Sequence, residues 1–135
     1  MKRVLVLDDM QERHDVLGRM LRARGHEVVA VYSYAEAVEA LKGPRFDEMY
    51  LDHDLEDFAI VELDTAHGIA IARPNKAPEF TGADVAEAIA AMPAEKHPEH
   101  VVIHSWNPEG ARRMWIILQR QGIQAVRQAF DERWV

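Results

Sequence analysis

The stretch MYLDHDL, residues 49–55, places two aspartates and a histidine directly after an apolar run. A strand buried on both faces has no room for such groups, so we expect the strand to end where they begin. The pattern occurs twice more: VLVLDD ends in Asp8 and Asp9, and VVIHS ends in His104 and Ser105. Three strand ends therefore carry the polar side chains from which a functional site would be built.

Short apolar runs alternate with helical patterns along the chain. The runs that predict strands lie at residues 4–7, 27–31, 48–52, 101–104 and, more weakly, 124–128. Apolar residues at helical spacing predict helices over residues 10–24, 35–41, 83–92 and 107–121, and Gly25 stands where the first helix would end. This alternation implies an open parallel sheet with helices on both faces, because right-handed crossovers allow little else.

The predicted fold is therefore a doubly wound α/β fold with a parallel five-stranded sheet in the order 2-1-3-4-5, as in receiver and flavodoxin-like domains. The first and third strands then flank the switch point, where ligands bind at the carboxyl edge of the sheet. The polar residues that would converge there are Asp8, Asp9, Asp52, Asp54, His104 and Ser105. Few residues follow the last strand, so we expect the last helix of such domains to be lacking.

Composition limits the functional classes. A chain of 135 residues, 48% hydrophobic, fits a single domain over residues 1–135. It contains no apolar stretch of bilayer length and no signal-peptide pattern, so we expect a cytoplasmic protein. The absence of cysteine excludes disulfides and thiolate metal sites, and the net charge of −7 disfavours broad binding to duplex DNA. We expect a small substrate or a nucleic-acid end.

The crowded carboxylates indicate a cation. Several carboxylates at one crevice repel each other, so they need either protons or a positive ion among them. Oxygen ligands suit a hard ion such as Mg²⁺ or Mn²⁺, which commonly bridges protein carboxylates to a phosphate. The backbone N–H groups that begin the last predicted helix, near residues 107–110, offer a second anion-binding element. The pattern favours phosphate chemistry.

Three segments resemble a response-regulator receiver domain: LVLDD, DEMYLDHDL and VVIHS. By that match Asp8 and Asp9 form the acidic pair, Asp52 is the phospho-accepting aspartate, and Ser105 takes the hydroxyl position. Receivers also have a lysine at the end of the fifth strand, where this chain has RQAF, and a closing helix. A degenerate phospho-accepting receiver is therefore one functional alternative, and these departures argue against it.

A closer resemblance is to the cyclic-phosphate processing receiver domains, which are often small stand-alone proteins of phages and bacteria. LDHDL, TGADVAEAI and HSWNPEG follow one another here in the order typical of that family. The resemblance implies a receiver scaffold that processes or binds a cyclic phosphate on a small cyclic nucleotide or an RNA end. We expect metal-dependent hydrolysis, and a non-catalytic protein that sequesters a cyclic nucleotide is the alternative.

Opening a cyclic phosphodiester requires a metal ion, a base for the attacking water and an acid for the departing alkoxide. The predicted metal ligands are Asp8, Asp9 and Asp52. The predicted catalytic residues are His104, Asp54 and His53. The predicted substrate-binding residues are Ser105, Asn107, Thr81 and Gly82. His104 is expected to protonate the leaving oxygen or to hold the phosphate together with Ser105.

Several of these residues also have a structural interpretation. Asp8 or Asp9 would cap the first helix, Asn107 the last, and Thr81 with Gly82 would begin the third. His53 would point into the core if the strand persisted that far, because alternation sends it opposite Asp52 and Asp54. Trp106 is either a packing residue or a surface on which a nucleobase stacks.

The segment 56–80 has no counterpart in an ordinary receiver. FAIVELD and GIAIARP are both strand-like, which predicts a β-hairpin insert. We expect it to stand over the carboxyl edge as a lid, with a disordered linker as the alternative. His67, Arg73 and Lys76 would then supply the positive charge that the missing receiver lysine gives, unless they are only solvated surface residues.

Overall fold

A computed structural model of the chain describes residues 1–55, 58–64, 69–74 and 80–128, with backbone alone for the second and third of these ranges. The strands are β1 (Arg3–Leu7), β2 (Glu27–Val31), β3 (Glu48–Leu51), β4 (Phe58–Asp64), β5 (Ile69–Pro74), β6 (His100–Ile103) and β7 (Ala125–Arg127). The α-helices are α1 (Gln11–Ala23), α2 (Tyr34–Leu41), α3 (Gly82–Ala91) and α4 (Pro108–Gln119).

Five of these strands form one parallel sheet in the order β2-β1-β3-β6-β7. Counting only its members, this is the order 2-1-3-4-5 that the sequence predicted. The predicted ends of the third and fourth strands, at residues 52 and 104, are one residue too late, since the ladders stop at Leu51 and Ile103. Asp52 and His104 therefore leave the sheet at its carboxyl edge.

The predicted hairpin is also confirmed. Strands β4 and β5 pair antiparallel as a separate two-stranded sheet, with an irregular register between Ile60 and Glu62. His67 and Lys76 lie outside the described residues, and so does the side chain of Arg73. The lid function of this insert stays a prediction. The expected lack of a last helix concerns residues 129–135, which the structure does not describe.

The sheet separates two apolar clusters. On one face α1 packs against β1, β3 and β6 through Leu17 and Leu21. On the other face α2, α3 and α4 pack together, with Ala37, Ile89 and Met114 buried there. Because both faces of β1, β3 and β6 are covered, their residues read as continuous apolar runs, which is why these strands could be recognised.

The ends of the helices follow local chemistry. After α1 the chain turns through Gly25, whose φ of 82° suits glycine, and this confirms the expected helix end. The other predicted helix limits shift by one or two residues, as frayed ends commonly do. No helix in the part of the chain that the structure describes is long and apolar enough to cross a bilayer.

Candidate functional site

An acidic cluster lies at the carboxyl edge of the sheet. Asp8 and Asp9 follow β1, and Asp52 follows β3, directly beside them because Leu7 and Leu51 are register partners. One carboxylate oxygen from each of the three residues lies within 4.8 Å of the other two. The side chains of Asp8 and Asp52 are buried, so their charges are poorly solvated. The structure thus brings the three predicted metal ligands together.

Asp8 is held by several hydrogen bonds. The Met10 N–H donates to Oδ1 at 2.8 Å, and Nε2 of His104 donates to Oδ2 at 2.8 Å. The His14 side chain hydrogen-bonds the Asp8 carbonyl oxygen at 2.8 Å. Burial alone raises the pKa of Asp8, but the hydrogen bonds from His104 and Met10 outweigh it and hold that pKa below its usual value. Asp8 is therefore an ionised carboxylate with a fixed orientation.

Neither Asp8 nor Asp9 is the N-cap residue of α1, so the capping interpretation of this pair does not hold in its usual form. The N-cap position of α1 is Met10, and no side chain accepts a hydrogen bond from the first turn there. The carboxylate of Asp8 binds the Met10 N–H itself, one position before the helix begins. The carboxylate thus fixes the chain between β1 and α1 while facing the acidic cluster.

Asp52 shows the electrostatic strain of the cluster. Burial raises its pKa most, the negative charges of Asp8, Asp9 and Asp54 add to that, and Arg13 opposes it, so the pKa rises to about 7. Near neutral pH a proton therefore competes for this carboxyl. A divalent cation bound by the cluster would replace that proton. The oxygen-only donor set and the raised pKa both fit a hard cation.

Arg13 is a residue that the sequence analysis missed. It lies in the first turn of α1, and its Nη1 atom is 3.4 Å from Oδ2 of Asp8 and 3.5 Å from Oδ2 of Asp52. Its side chain keeps 17% of its surface exposed, so the guanidinium reaches both the buried carboxylates and the solvent. The sequence feature that could have identified Arg13 is its position five residues after Asp8. The helix that follows β1 begins at the switch point, so a side chain in its first turn lies near the predicted site.

Asp54 forms a second group with His53 and Asn107. Nδ1 of His53 donates to Oδ1 of Asp54 at 2.8 Å, and the Asn107 amide donates to the same oxygen at 3.2 Å. Burial alone raises the pKa of Asp54, but these hydrogen bonds lower it below the usual value. The Asp54 side chain is 58% exposed, so this ionised carboxylate faces solvent.

His53 does not point into the core. Strand β3 ends at Leu51, so strand alternation no longer applies two residues later. The His53 ring packs instead against the start of α4, where a Cβ at Gly110 would collide with it. Only a glycine at that position lets the helix approach this ring, which gives the glycine of HSWNPEG a packing role.

Asn107 has two roles at once. Its Oδ1 accepts from the Gly110 N–H at 3.0 Å as the N-cap of α4, and its amide nitrogen donates to Asp54. Ser105 is buried, and its Oγ accepts from the Asn107 N–H at 3.0 Å. The capping interpretation is therefore confirmed for Asn107, and the cap also connects α4 to the carboxylate that faces solvent.

Thr81 and Gly82 support the loop after β3. Thr81 caps α3 through a reciprocal capping box with Asp84. The Gly82 N–H donates to the His53 carbonyl oxygen at 2.8 Å, and a Cβ at Gly82 would overlap the Asp52 carbonyl oxygen. The structure thus places this pair behind the loop that carries Asp52. Phosphate binding by Thr81 and Gly82 stays a prediction.

An open cleft of about 400 Å³ lies over the cluster, and its lining is Asp9, Met10, Arg13, Asp52, Asp54 and Trp106. His104 is fully buried behind Asp8, and its Nδ1 has no hydrogen-bond partner among the described residues. Burial lowers the pKa of His104, and the hydrogen bond and charge of Asp8 only partly oppose this. Of the predicted site residues, Asp9, Asp52 and Asp54 line the cleft, while His104 stands one layer below it.

Solved structures of receiver domains share this fold. The response regulator TrrA of Thermotoga maritima aligns with a TM-score of 0.64 at 18% identity, covering 98% of this chain and 91% of its own. The HemR receiver domain of Leptospira biflexa aligns with a TM-score of 0.65 at 17% identity, covering 97% and 85%. A CheY-like receiver domain of Methanospirillum hungatei gives 0.64 at 16% identity, covering 98% and 86%. Identities this low establish the fold alone.

The comparison with sequence families is more specific. No curated protein sequence matched the chain. A family model described as a cyclic-phosphate processing receiver domain matches residues 3–120, which include LDHDL, TGADV and HSWNPEG. The match spans four of the five strands of the parallel sheet, all four α-helices and the acidic cluster, and it ends before β7. The chain therefore belongs to the cyclic-phosphate processing receiver domain family.

Proposed function

We propose that this protein is a metal-dependent hydrolase that opens a cyclic phosphate on a nucleotide or an RNA end. The observation that carries the proposal is the cluster of Asp8, Asp9 and Asp52 at the base of an open cleft. Burial and the negative charges of the neighbouring carboxylates raise the pKa of Asp52 to about 7, so a bound cation would stabilise the cluster in its ionised form. The family description supplies the class of substrate.

The proposed cation is Mg²⁺ or Mn²⁺, held by Asp8, Asp9 and Asp52. Both ions prefer oxygen ligands and tolerate several water molecules, which suits a site open to a cleft. The TrrA structure, which shares the fold, is a complex with Mg²⁺ and BeF. Bound here, the ion would polarise phosphoryl oxygens and lower the pKa of a coordinated water molecule.

Arg13 is proposed to bind the phosphate. Its guanidinium carries the positive charge nearest to Asp8 and Asp52 among the described residues, and it lines the cleft. A phosphoryl oxygen in the cleft would compete favourably for its N–H groups, because charge-assisted hydrogen bonds to phosphate are strong. In this account Arg13, rather than a residue of the insert, supplies the charge that an ordinary receiver obtains from its lysine.

His53 and Asp54 are proposed to transfer the protons. During hydrolysis a water oxygen forms a bond to phosphorus, the ring P–O bond breaks, and one proton passes from the water to the departing alkoxide. Asp54 faces solvent as an ionised carboxylate and is hydrogen-bonded to His53, so the pair can accept this proton and return it. We assign His104 to orienting Asp8, because the imidazole is fully buried.

The test is the hydrolysis of a panel of cyclic phosphates by the wild type, Asp52→Asn and Asp15→Asn, each with EDTA and with Mg²⁺ or Mn²⁺. Asp15 is an exposed carboxylate on α1 outside the cluster, so its substitution is the matched control. The proposal predicts metal-dependent opening by the wild type and the control, and a loss of at least about 100-fold in Asp52→Asn. Retained binding of one compound without turnover would instead establish the sequestering protein.

A further inference from the structure

Trp106 is unusual in its position and exposure. It stands between the buried Ser105 and the N-cap Asn107, whose hydrogen bond fixes the backbone on both sides of it. Its side chain is nevertheless 64% exposed, at the rim of the acidic cleft. A large aromatic surface that is fixed at its backbone and open to solvent offers a planar face to a ligand. Bases stack on such faces irrespective of their sequence.

A second depression adjoins the cleft on the far side of Trp106. It measures about 370 Å³, and its lining is Ser105, Trp106, Pro108, Ala111, Arg127 and Gln128. The two depressions share Trp106 as their common wall. The acidic cleft has room for one nucleotide that carries the cyclic phosphate. The second depression offers comparable space on the other side of the nucleobase.

The charges on the two sides of Trp106 differ in sign. The cleft holds three carboxylates against Arg13, whereas the second depression contains Arg127 and no carboxylate. The guanidinium of Arg127 lies 6.0 Å from the ring centroid of Trp115, and no carboxylate of the described residues forms an ion pair with it. A phosphodiester group of the bound substrate that lies outside the acidic cleft would be repelled by the carboxylates and attracted by the Arg127 guanidinium.

We infer that the depression beyond Trp106 is a second nucleotide subsite, so that the substrate is the cyclic-phosphate end of an oligonucleotide rather than a free mononucleotide. The inference rests on the proposed function, which it narrows. The terminal base stacks on Trp106, and the phosphodiester to the preceding nucleotide lies on the Arg127 side. The overall negative charge limits contacts with longer RNA to these few positions.

The test compares three compounds in the presence of Mg²⁺: an adenosine dinucleotide ending in a 2′,3′-cyclic phosphate, adenosine 2′,3′-cyclic phosphate, and glycerol 1,2-cyclic phosphate, which has no base. The measurement is kcat/KM, and calorimetric Kd where a compound is bound but not opened. For the wild type we expect the dinucleotide to exceed the mononucleotide by about 10-fold or more. The base-free compound should be the poorest of the three.

The variants separate the two contacts. Arg127→Gln should remove the dinucleotide preference and leave the mononucleotide unchanged, whereas Arg120→Gln, an exposed arginine that ends α4, should retain the preference. Trp106→Ala should weaken both nucleotides by about 10- to 100-fold and the glycerol compound much less, and Trp106→Phe should restore most of the loss for the nucleotides. Because these side chains are exposed, the fold should survive each change.

Equal values for dinucleotide and mononucleotide in the wild type, a dinucleotide preference that persists in Arg127→Gln, or nucleotide values that are unchanged in Trp106→Ala would each overturn the inference and leave the proposed function standing. If no compound is opened, the proposed function fails. Dinucleotide binding that depends on both side chains would then still support the subsite, and absence of dinucleotide binding would overturn the inference as well.

Discussion

Replacing Asp52 with asparagine should make the metal-free protein more stable at pH 8. The substitution keeps the size of the side chain and removes its charge. The pKa of this carboxyl rises from 3.8 to about 7 on folding, mainly because it is buried and faces Asp8. At about 1.4 kcal/mol per pH unit, ionising it in the folded state costs at most roughly 4 kcal/mol. The neutral amide does not incur that cost.

The sign of the pH dependence follows from the direction of this change. A carboxyl with a raised pKa favours the folded state below pH 3.8, and this contribution is lost as the pH rises through about 7. The advantage of Asp52→Asn over the wild type should therefore grow between pH 4 and pH 7 and stay constant above that. At pH 8 we expect a gain of about 1 to 4 kcal/mol, or a Tm higher by about 4 to 15 °C.

The assay is thermal unfolding followed by circular dichroism. It is run once with EDTA and once with about 10 mM Mg²⁺, a concentration chosen to saturate the site. Mg²⁺ should raise the Tm of the wild type and of Asp15→Asn and should have little effect on Asp52→Asn. A metal-free Asp52→Asn protein that is less stable than the wild type at pH 8 would refute the electrostatic reasoning. Equal stabilisation of all three proteins by Mg²⁺ would refute the assignment of Asp52 as a ligand.

Three further substitutions test the surroundings of the cluster. Arg13→Gln should raise KM for the cyclic phosphate by about 10-fold in steady-state assays, because it removes the cation beside Asp8 and Asp52 that is proposed to bind the phosphate. An unchanged KM would exclude Arg13 from phosphate binding. His104→Leu should weaken Mg²⁺ binding by about 10- to 100-fold in calorimetry, because Asp8 loses its buried donor, and saturating Mg²⁺ should restore turnover. Gly82→Ala should lower the free energy of unfolding by about 1 to 3 kcal/mol in urea titrations, because its Cβ would overlap the Asp52 carbonyl oxygen; an unaltered urea midpoint would contradict that packing.

The sheet could be predicted because its information is local. The apolar runs that end in Asp8, Asp52 and His104 are recognisable one by one, and the alternation with helices restricts the topology to a few orders. The order then places the ends of adjacent strands side by side, which is why Asp8, Asp9 and Asp52 were expected at one point. Strand limits were less certain, because β3 and β6 each end one residue before the prediction.

The roles of individual side chains depended on packing that no local pattern reveals. Arg13 belongs to an ordinary amphipathic helix, and only the approach of α1 to the Asp52 loop gives it a role. The sequence also did not reveal which of the two motif histidines is buried. His104 is fully buried, whereas His53 contacts the carboxylate that faces solvent. Both follow apolar strands in similar motifs, so the sequence alone cannot distinguish them.

The most direct test of metal-dependent cyclic-phosphate opening is a ³¹P NMR time course of the adenosine dinucleotide 2′,3′-cyclic phosphate with the wild-type protein. The spectrum would be followed first in EDTA and then after addition of excess Mg²⁺ to the same sample. We expect a stable cyclic-phosphate signal in EDTA and its conversion to a monophosphate signal once Mg²⁺ is present. Conversion at the same rate in EDTA, or a cyclic signal that persists in Mg²⁺, would contradict metal-dependent opening.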